Sequence, residues 1–456
     1  MSIKTIILAA GQGTRMRSKL PKVLHQIANR PLLQHVYDTS LQIPDNHIHV
    51  VYGHGGETVK ERLSHFDAVW IEQKQQLGTG HAVQQAIHHV NDADTVLILY
   101  GDVPLLKMAT LHTLLADVSD SCLALLTVIL DDPTGYGRII RDNNNQVVKI
   151  VEQKDATPEQ LKINEGNTGI LACKGHQLKD WLSRLSNHNA QNEYYLTDII
   201  EMAVSDGLLV KTTQTNSQDE VLGVNNRNQL AHLERVYQWQ QADYLMTHGV
   251  TLRDPARIDV RGQFLELGQD IEIDINVIFE GQNKIGSNVK IGANCILKNV
   301  EIADDVEILA NSLLENAVVG VGSRIGPYAR LRPDTQIADH VHIGNFVEIK
   351  KSNIASGSKI NHLSYIGDSE IGSKVNIGAG TITCNYDGVN KFKTIIEDGA
   401  FIGSDTQLVA PVKVGKNATI GAGSTITKDT PAEQLSLSRS KQISVESWQR
   451  PQKKEK

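Results

Sequence analysis

The segment Gly11-Gln-Gly-Thr-Arg-Met-Arg-Ser-Lys-Leu-Pro-Lys22 follows directly on a short apolar run, Thr5 to Ala10. A glycine-rich loop after a first strand lets backbone N–H groups approach a phosphate, and Arg15 and Lys22 add the positive charge a triphosphate calls for. The loop lacks the Gly-Lys-Ser/Thr of a Walker sequence, and Met16 stands where a dinucleotide fingerprint has its third glycine. Further along, Gln73 and the Gly78-Thr79 pair suit the reading of a base edge or ribose, while Thr79 equally suits a helix cap. Asp102 follows the apolar run Val96 to Tyr100 through Gly101. It reads as a magnesium ligand whose shell waters and substrate phosphates complete, or as a solvated turn. Asn225 reads as a second oxygen ligand or as the N-cap of the helix after it. Gly137, Glu152 and Asn167 lie near strand ends and offer the donors and acceptors that sugar hydroxyls and an acetamide need.

A second set of chemical side chains lies in the C-terminal half. His340, His342 and His362 all fall off the apolar repeat described below. An imidazole is the side chain suited to taking a proton near neutral pH, but spacing alone does not choose among the three. The stretch Cys384 to Lys393 interrupts the repeat with polar, aromatic and basic residues that have no packing role, so it is expected to project as a functional loop.

The elements that must hold these residues differ between the two halves. Strands are predicted at Thr5 to Ala10, Ile48 to Gly53, Ala68 to Ile71 and Thr95 to Tyr100 with helical stretches between. This is an α/β Rossmann-like sheet, with its site at the strands' carboxyl ends. From Asn228 to His248 apolar residues recur at Leu230, Leu233, Val236, Tyr237 and Leu245 before Gly249, which predicts a joining helix about 30 Å long. Beyond it, aliphatic residues return every six positions, at Ile325, Leu331, Ile337, Ile343 and Ile349, then at Ile354, Ile360 and Ile366, and from Ile396 to Ile426. Neither a helix nor a single strand repeats at six. A parallel β-helix does, each coil burying its apolar face on its neighbours, with about eight to ten coils expected from Ile271 to Ile426.

The chain has 456 residues, enough for two domains or more, divided here as 1–227, a helical linker 228–249, and 250–456. A net charge of −7 argues against nucleic acid as the main partner. Cys122, Cys173, Cys295 and Cys384 have no paired spacing for zinc or a disulfide framework, which points to a reducing compartment. No stretch approaches membrane-span length, so a cytoplasmic location is expected.

The Leu8 to Lys22 string resembles the signature of sugar-nucleotide nucleotidyltransferases. With Tyr100-Gly-Asp-Val-Pro104, Asp132-Pro-Thr-Gly-Tyr-Gly-Arg138, Gly344-Asn-Phe-Val-Glu348 and the Asn376 to Gly388 stretch, the whole chain resembles the bacterial family of bifunctional N-acetylglucosamine-1-phosphate uridylyltransferase / glucosamine-1-phosphate N-acetyltransferases. The resemblance implies a left-handed β-helix, a homotrimer, and synthesis of UDP-N-acetylglucosamine for peptidoglycan and lipopolysaccharide. It implies that Arg15 and Lys22 hold the triphosphate and that Asp102 and Asn225 hold Mg2+. Leu8, Ala9, Ala10, Gly11, Gln73, Gly78, Thr79, Tyr100, Gly101, Gly137, Glu152 and Asn167 would shape the UTP and sugar sites. In the rod it selects His362 as the base with Glu348 as its orienting partner. Arg332, Lys350, Tyr365, Asn376 and Lys391 would surround glucosamine 1-phosphate, and Ala379, Asn385, Tyr386, Ser404, Ala422 and Arg439 would contact acetyl-CoA. The chain departs from the family at Gln12, where Lys is frequent, at Asn361, where Gly is usual, and at Ser438, where Pro is common. A single-activity nucleotidyltransferase with a regulatory rod, or a non-enzymatic scaffold, would lack one or both residue sets.

Overall fold

The computed structural model describes residues 2–11, 13–53, 56–215 and 217–453, so the Gln12 departure lies outside the described residues. Two compact units divide the chain, Met1–Tyr237 and Gln238–Lys456.

The first unit is built on one sheet whose strands run in the order Leu209–Gln214, Cys122–Ile129, Glu165–Lys174, Thr95–Tyr100, Ile3–Ala9, Asn46–Gly53, Val69–Gln73. All neighbours pair in parallel except Glu165–Lys174, which is antiparallel to both of its partners. Strand side chains alternate between faces, so a sheet covered on both sides carries near-continuous apolar runs. Ile7 packs with Leu33, Val36 and Leu111 on one face, and Ile6 and Leu8 pack with Val83, Trp181 and Ile199 on the other. The predicted strands stand where expected, Thr95–Tyr100 to the residue.

In the second unit aliphatic side chains stack in three ladders, each rung one coil from the next. In an 11-stranded parallel sheet the register runs Ile273, Ile291, Ile308, Ile325, Ile343, Ile360, Ile377, Ile402, Ile420. A 17-stranded parallel sheet holds the other two, one through Leu314, Leu331, Ile349 and Ile366, the other through Ile337, Ile354, Ile371 and Ile396. Every hexad aliphatic named from the sequence is at most 5% exposed, with Ile426 the most open. A coil of three hexads advances 18 residues, as from Ile325 to Ile343, and one five-residue slip makes it 17, as from Ile343 to Ile360. The step from Ile377 to Ile402 is 25, because the Asn385–Lys393 loop is inserted there. That loop projects as the sequence predicts, with Val389 83% exposed.

The joining helix is Arg227–Thr247, and it is shared between the units rather than forming a segment of its own. In the first unit Leu233 is buried with Met16, Ile27 and Leu32, and the Glu234 carboxylate accepts from the Ala28 backbone N–H at 2.8 Å. In the second, the Gln238 carboxamide both donates to Val260 O (3.1 Å) and accepts from Val260 N–H (2.6 Å), while Ala242 and Leu245 join the rod core.

A fragment ending at Arg227 therefore exposes the pocket that Leu233 and Tyr237 fill. It should be less stable to urea than a fragment ending at Thr247 by about 3 kcal/mol, the scale of losing one large buried side chain and its contacts. Equal urea midpoints for the two fragments would show that the first turns of the helix add nothing to this unit.

Candidate active sites

At the carboxyl ends of the first unit's parallel strands lies a cleft of about 770 Å³. Leu8, Ala9, Ala10 and Gly11 line it from the end of the first strand. Arg15, Lys22, Gln73, Gly78, Thr79, Tyr100, Asp102 and Asn225 complete most of the wall. Gly13 sits at φ +61, and a Cβ on it would come within 2.8 Å of Lys22 Cβ, so the loop must be glycine here for the lysine to reach the cleft.

Lys22 is the hub of the site's charge. Its ammonium is ion-paired with Asp102 Oδ2 and lies 3.2 Å from Asn225 Oδ1, while the Arg15 guanidinium donates to that same Asn225 oxygen at 3.0 Å. The Asp102 and Asn225 oxygens thus converge on one point that already carries a positive charge. One carboxylate and one amide oxygen make a sparse set for a cation, suited to Mg2+ that takes the rest of its shell from water and phosphates. Among the described residues no cluster of three or more His, Cys, Asp or Glu side chains offers a denser metal site.

Two alternatives left open by the sequence are decided by the hydrogen bonds. Thr79 does not cap its helix: Gly78 holds the N-cap position, and Thr79 Oγ1 accepts from Leu196 N–H at 3.2 Å. Asn225 is not the cap of the joining helix either. Asn226 is, accepting from Gln229 N–H at 2.9 Å, which leaves the Asn225 side chain to face Lys22.

Gly101, Gly137, Glu152 and Asn167 do not line the cleft. Gly101 donates its N–H to Leu8 O, and a Cβ on it would meet Leu33 and Ala9. The other three form a layer behind the wall, with Asn167 N–H donating to Gly137 O at 2.8 Å and Thr197 donating to Glu152 at 3.0 Å. Chain alternation is the reason: Tyr136 and Thr168, one residue away from Gly137 and Asn167, take the wall positions. Gln191 and Glu193 also line the cleft, from an irregular segment that carried no periodic signal.

On the rod, the coil register decides which side chains meet. Asn345, His362, Ala379, Ser404 and Ala422 each stand two residues after a rung of one isoleucine ladder (Ile343, Ile360, Ile377, Ile402, Ile420), so they form one column along a corner. Arg439 extends it by donating to Ala422 O at 3.0 Å. Below the imidazole the column is a track of small side chains, open to an extended ligand.

His362 does not use Glu348. Its Nδ1 lies 2.7 Å from Asn345 Oδ1, its register partner, whereas Glu348 belongs to the other sheet and binds Arg332 at 2.9 Å. An amide oxygen only accepts, so Nδ1 carries the proton and Nε2 presents its lone pair outward, the form a base requires. Asn345 lies one coil, 17 residues, before His362, and that spacing was the signal available in the sequence.

Arg332, Glu348, Lys350 and Tyr365 gather on a second ridge with Asp368, Asn385 and Lys391. Glu348 and Tyr365 are register partners, Lys350 lies 3.9 Å from Asp368, and buried Asn385 donates to Asp368. The adjoining Lys391 side chain, and then burial, hold the Lys350 ammonium below the usual lysine range. Two cations in contact favour an anion between them, as a phosphate would be. Asn376 is elsewhere, on the 11-stranded sheet between Lys359 and Phe401. Asn385 likewise stands on the ridge and not on the small-residue column, and Tyr386 is exposed on the inserted loop.

A model of the MobA-like NTP transferase domain matches residues 5–140. Models of the bacterial transferase hexapeptide match residues 316–351 and 393–428, and one of the hexapeptide repeat of succinyl-transferase matches 282–316. The bifunctional protein GlmU of Methylococcus capsulatus is 62% identical over 456 residues, covering 100% of this chain and 99% of the relative. Those of Azoarcus sp. and Marinobacter nauticus are each 56% identical over 451 residues, covering at least 99% of both chains. The chain belongs to the bifunctional GlmU family. Its nucleotidyltransferase unit carries the cleft around Lys22, and its hexapeptide-repeat unit carries the His362 column. As a GlmU family member it is a transferase with two active regions, which removes both the scaffold and the single-activity alternatives. No helix among the described residues is long and apolar enough to cross a membrane.

Behind the nucleotidyl cleft, burial first and then the carboxylates of Glu152, Glu201 and Asp155 push Asp198 up to about 6. A carboxyl whose folded pKa is raised is stabilising while protonated, and that contribution is lost as pH rises from its unfolded value of 3.8 through about 6. Asp198→Asn should therefore raise the urea midpoint at pH 7.5 and change it little at pH 4.5. A variant equally stable with wild type at both pH values would remove the proposed repulsion.

Proposed function

We propose that the first unit transfers a uridylyl group from UTP to N-acetylglucosamine 1-phosphate, releasing pyrophosphate, and that the rod acetylates glucosamine 1-phosphate from acetyl-CoA to supply it. The product, UDP-N-acetylglucosamine, is a precursor of peptidoglycan and lipopolysaccharide. The observation that carries this reading is the presence of both constellations in one chain: Lys22 with Asp102 and Asn225 in the cleft, and His362 at the head of a small-residue track.

In uridylyl transfer a phosphate oxygen of the sugar phosphate attacks the α-phosphorus of UTP, and the bond to the β-phosphate oxygen breaks. No covalent intermediate on the protein is needed, so the chain's task is positioning and charge neutralisation. Arg15 and Lys22 bind the triphosphate and offset charge gathering on the departing pyrophosphate. Asp102 and Asn225 would hold Mg2+, which when bound adds further neutralisation of the phosphates. Leu8 to Gly11, Gln73, Gly78, Thr79 and Tyr100 shape the walls for the nucleotide, with Gly101, Gly137, Glu152 and Asn167 supporting them from behind.

In acetyl transfer the amine nitrogen attacks the thioester carbonyl, a C–N bond forms, and the C–S bond breaks. His362 Nε2 takes the proton the amine loses and returns one to the departing thiolate. Asn345 fixes the ring's tautomer. The Arg332–Lys350–Lys391 ridge, with Tyr365, binds the sugar phosphate, and Asn376 contacts the sugar. Ala379, Ser404 and Ala422 line the path of the pantetheine arm, with Asn385, Tyr386 and Arg439 at its flanks. A homotrimer, in which neighbouring rods complete each site, accounts for the separation of Asn376 and Asn385 from the rest of their groups. Partners are then small molecules, with no nucleic acid or membrane, and UTP and acetyl-CoA place the enzyme in the cytoplasm.

Asp102→Ala should abolish uridylyl transfer at millimolar magnesium and leave acetyl transfer intact, measured as pyrophosphate and free CoA release on the same preparation. Retention of near-full pyrophosphate release would sink the role given to that carboxylate.

His362→Ala should lower acetyl transfer by about 10² to 10⁴ while acetyl-CoA still binds. Asn345→Ala should lower kcat by a smaller factor with KM for both substrates held. If His362→Ala stays within a few-fold of wild type, the rod's base is another residue.

A further inference from the structure

Asp102 and Asn225 are carried by two separate segments of the first unit. One runs from Gly101 to Lys107, between the strand Thr95–Tyr100 and the helix Met108–Ala116, and the other follows the short turn Gln218–Glu220 and ends at the joining helix. Asp102 and Val103 of the first and Val221, Gly223 and Asn225 of the second line the cleft. A Cβ built on Gly223 would stand 3.5 Å from Asp102 Oδ2, so the segments run side by side at the site. Their backbones meet there through the Val224 N–H, which donates to Asp102 O at 2.9 Å.

Away from the cleft the same two segments are tied by a carboxylate. Glu220 is 5% exposed, and its Oε1 accepts from the Lys107 backbone N–H at 3.2 Å and from the Thr110 hydroxyl. Lys107 holds the N-cap position of Met108–Ala116, and its own side chain makes no capping bond. Glu220 thus supplies from another segment what a capping side chain supplies from within one, and the positive end of the helix offsets part of the cost of burying a carboxylate. The next residue, Val221, is buried with Val103, Leu106 and Leu111. That apolar contact holds the segments together but has no direction, whereas hydrogen bonds fix how far one segment can slide along the other. Sliding matters here, because Mg2+ demands nearly ideal octahedral geometry of its oxygen ligands.

We propose that Glu220 is a positioning residue for uridylyl transfer: its carboxylate clasps the segment carrying Asp102 to the segment carrying Asn225, so that the two side-chain oxygens stand at the spacing a magnesium ion needs. The inference rests on the reading of Asp102 and Asn225 as the residues that hold Mg2+. Glu220 itself touches neither the cleft nor the nucleotide, and acts only through the backbone between Asp102 and Lys107 on one side and between Val221 and Asn225 on the other.

The test uses the full-length protein and three variants. Glu220→Ala removes the acceptor, Glu220→Gln keeps an oxygen for both donors, and Thr110→Val removes one donor from a half-buried position. UTP binding is measured by calorimetry without the sugar phosphate, once with EDTA and then across a magnesium series, and pyrophosphate and CoA release are followed on the same samples. Glu220→Ala should bind UTP as wild type does in EDTA and about tenfold more weakly at millimolar magnesium, the lower end of what losing a supporting contact costs a metal site. The magnesium concentration for half-maximal pyrophosphate release should rise by the same factor, CoA release should be unchanged, and Glu220→Gln should recover most of the loss. A magnesium response equal to that of wild type would overturn the inference. Weakening of UTP binding by the same factor with and without magnesium would also overturn it, as the mark of general damage to the unit. If Glu220→Ala does not fold, Thr110→Val carries the test: a smaller shift in the same direction supports the clasp, and no shift overturns it. Asp102→Ala that kept the magnesium response would instead overturn the metal reading on which the inference stands.

Discussion

The stacking of one coil's aliphatic rungs on the next is the constraint from which the second unit's chemistry follows. Each isoleucine of a ladder is buried only because its neighbours one coil away are present, so the register cannot slip by a residue without exposing all three ladders. Once the ladders are locked, every other side chain is locked in columns. His362 meets Asn345, Glu348 meets Tyr365, and Asp368 meets Asn385, each across a step of 17 residues. Polar groups that would be remote on an extended chain become neighbours without any dedicated contact to bring them together.

The same register separates as firmly as it joins. His362 and Glu348 are near in sequence but lie on different sheets, so the carboxylate goes to Arg332 and the imidazole to an amide. An amide sets the tautomer of the ring without adding a formal charge beside it. Where a side chain stands in a glycine column, as at Asn361, one of its polar atoms is left buried without a partner among the described residues.

The first unit reaches its site by a different route. A sheet covered on both faces presents only its strand ends to solvent, and the loops there bring together residues from distant parts of the chain. Lys22, Asp102 and Asn225 come from three such loops, and the burial of Leu233 with Met16 and Ile27 draws the last of them against the first. Side chains at the strand ends alternate, so residues of suitable chemistry divide into a wall and a supporting layer. Glu152 falls in the layer, where burial first and then its carboxylate raise Asp198.

Periodicity determined a great deal by itself. The six-residue repeat follows from local burial and was legible as a rod down to the inserted loop, and the glycine-rich string with its two cations marked the phosphate end of the first unit. Those features are local: they need only neighbouring residues and a buried face. The partners could not be read the same way. Whether Asn225 or Asn226 caps the joining helix, whether Thr79 caps its own, and whether Gly137 or Tyr136 reaches the cleft each depend on which way a backbone faces after packing. The choice of Asn345 over Glu348 depends on the coil length, 17 or 18 residues, which the slips alter one coil at a time. Hydrogen-bond geometry acts over about 3 Å, and only the packed chain sets distances on that scale.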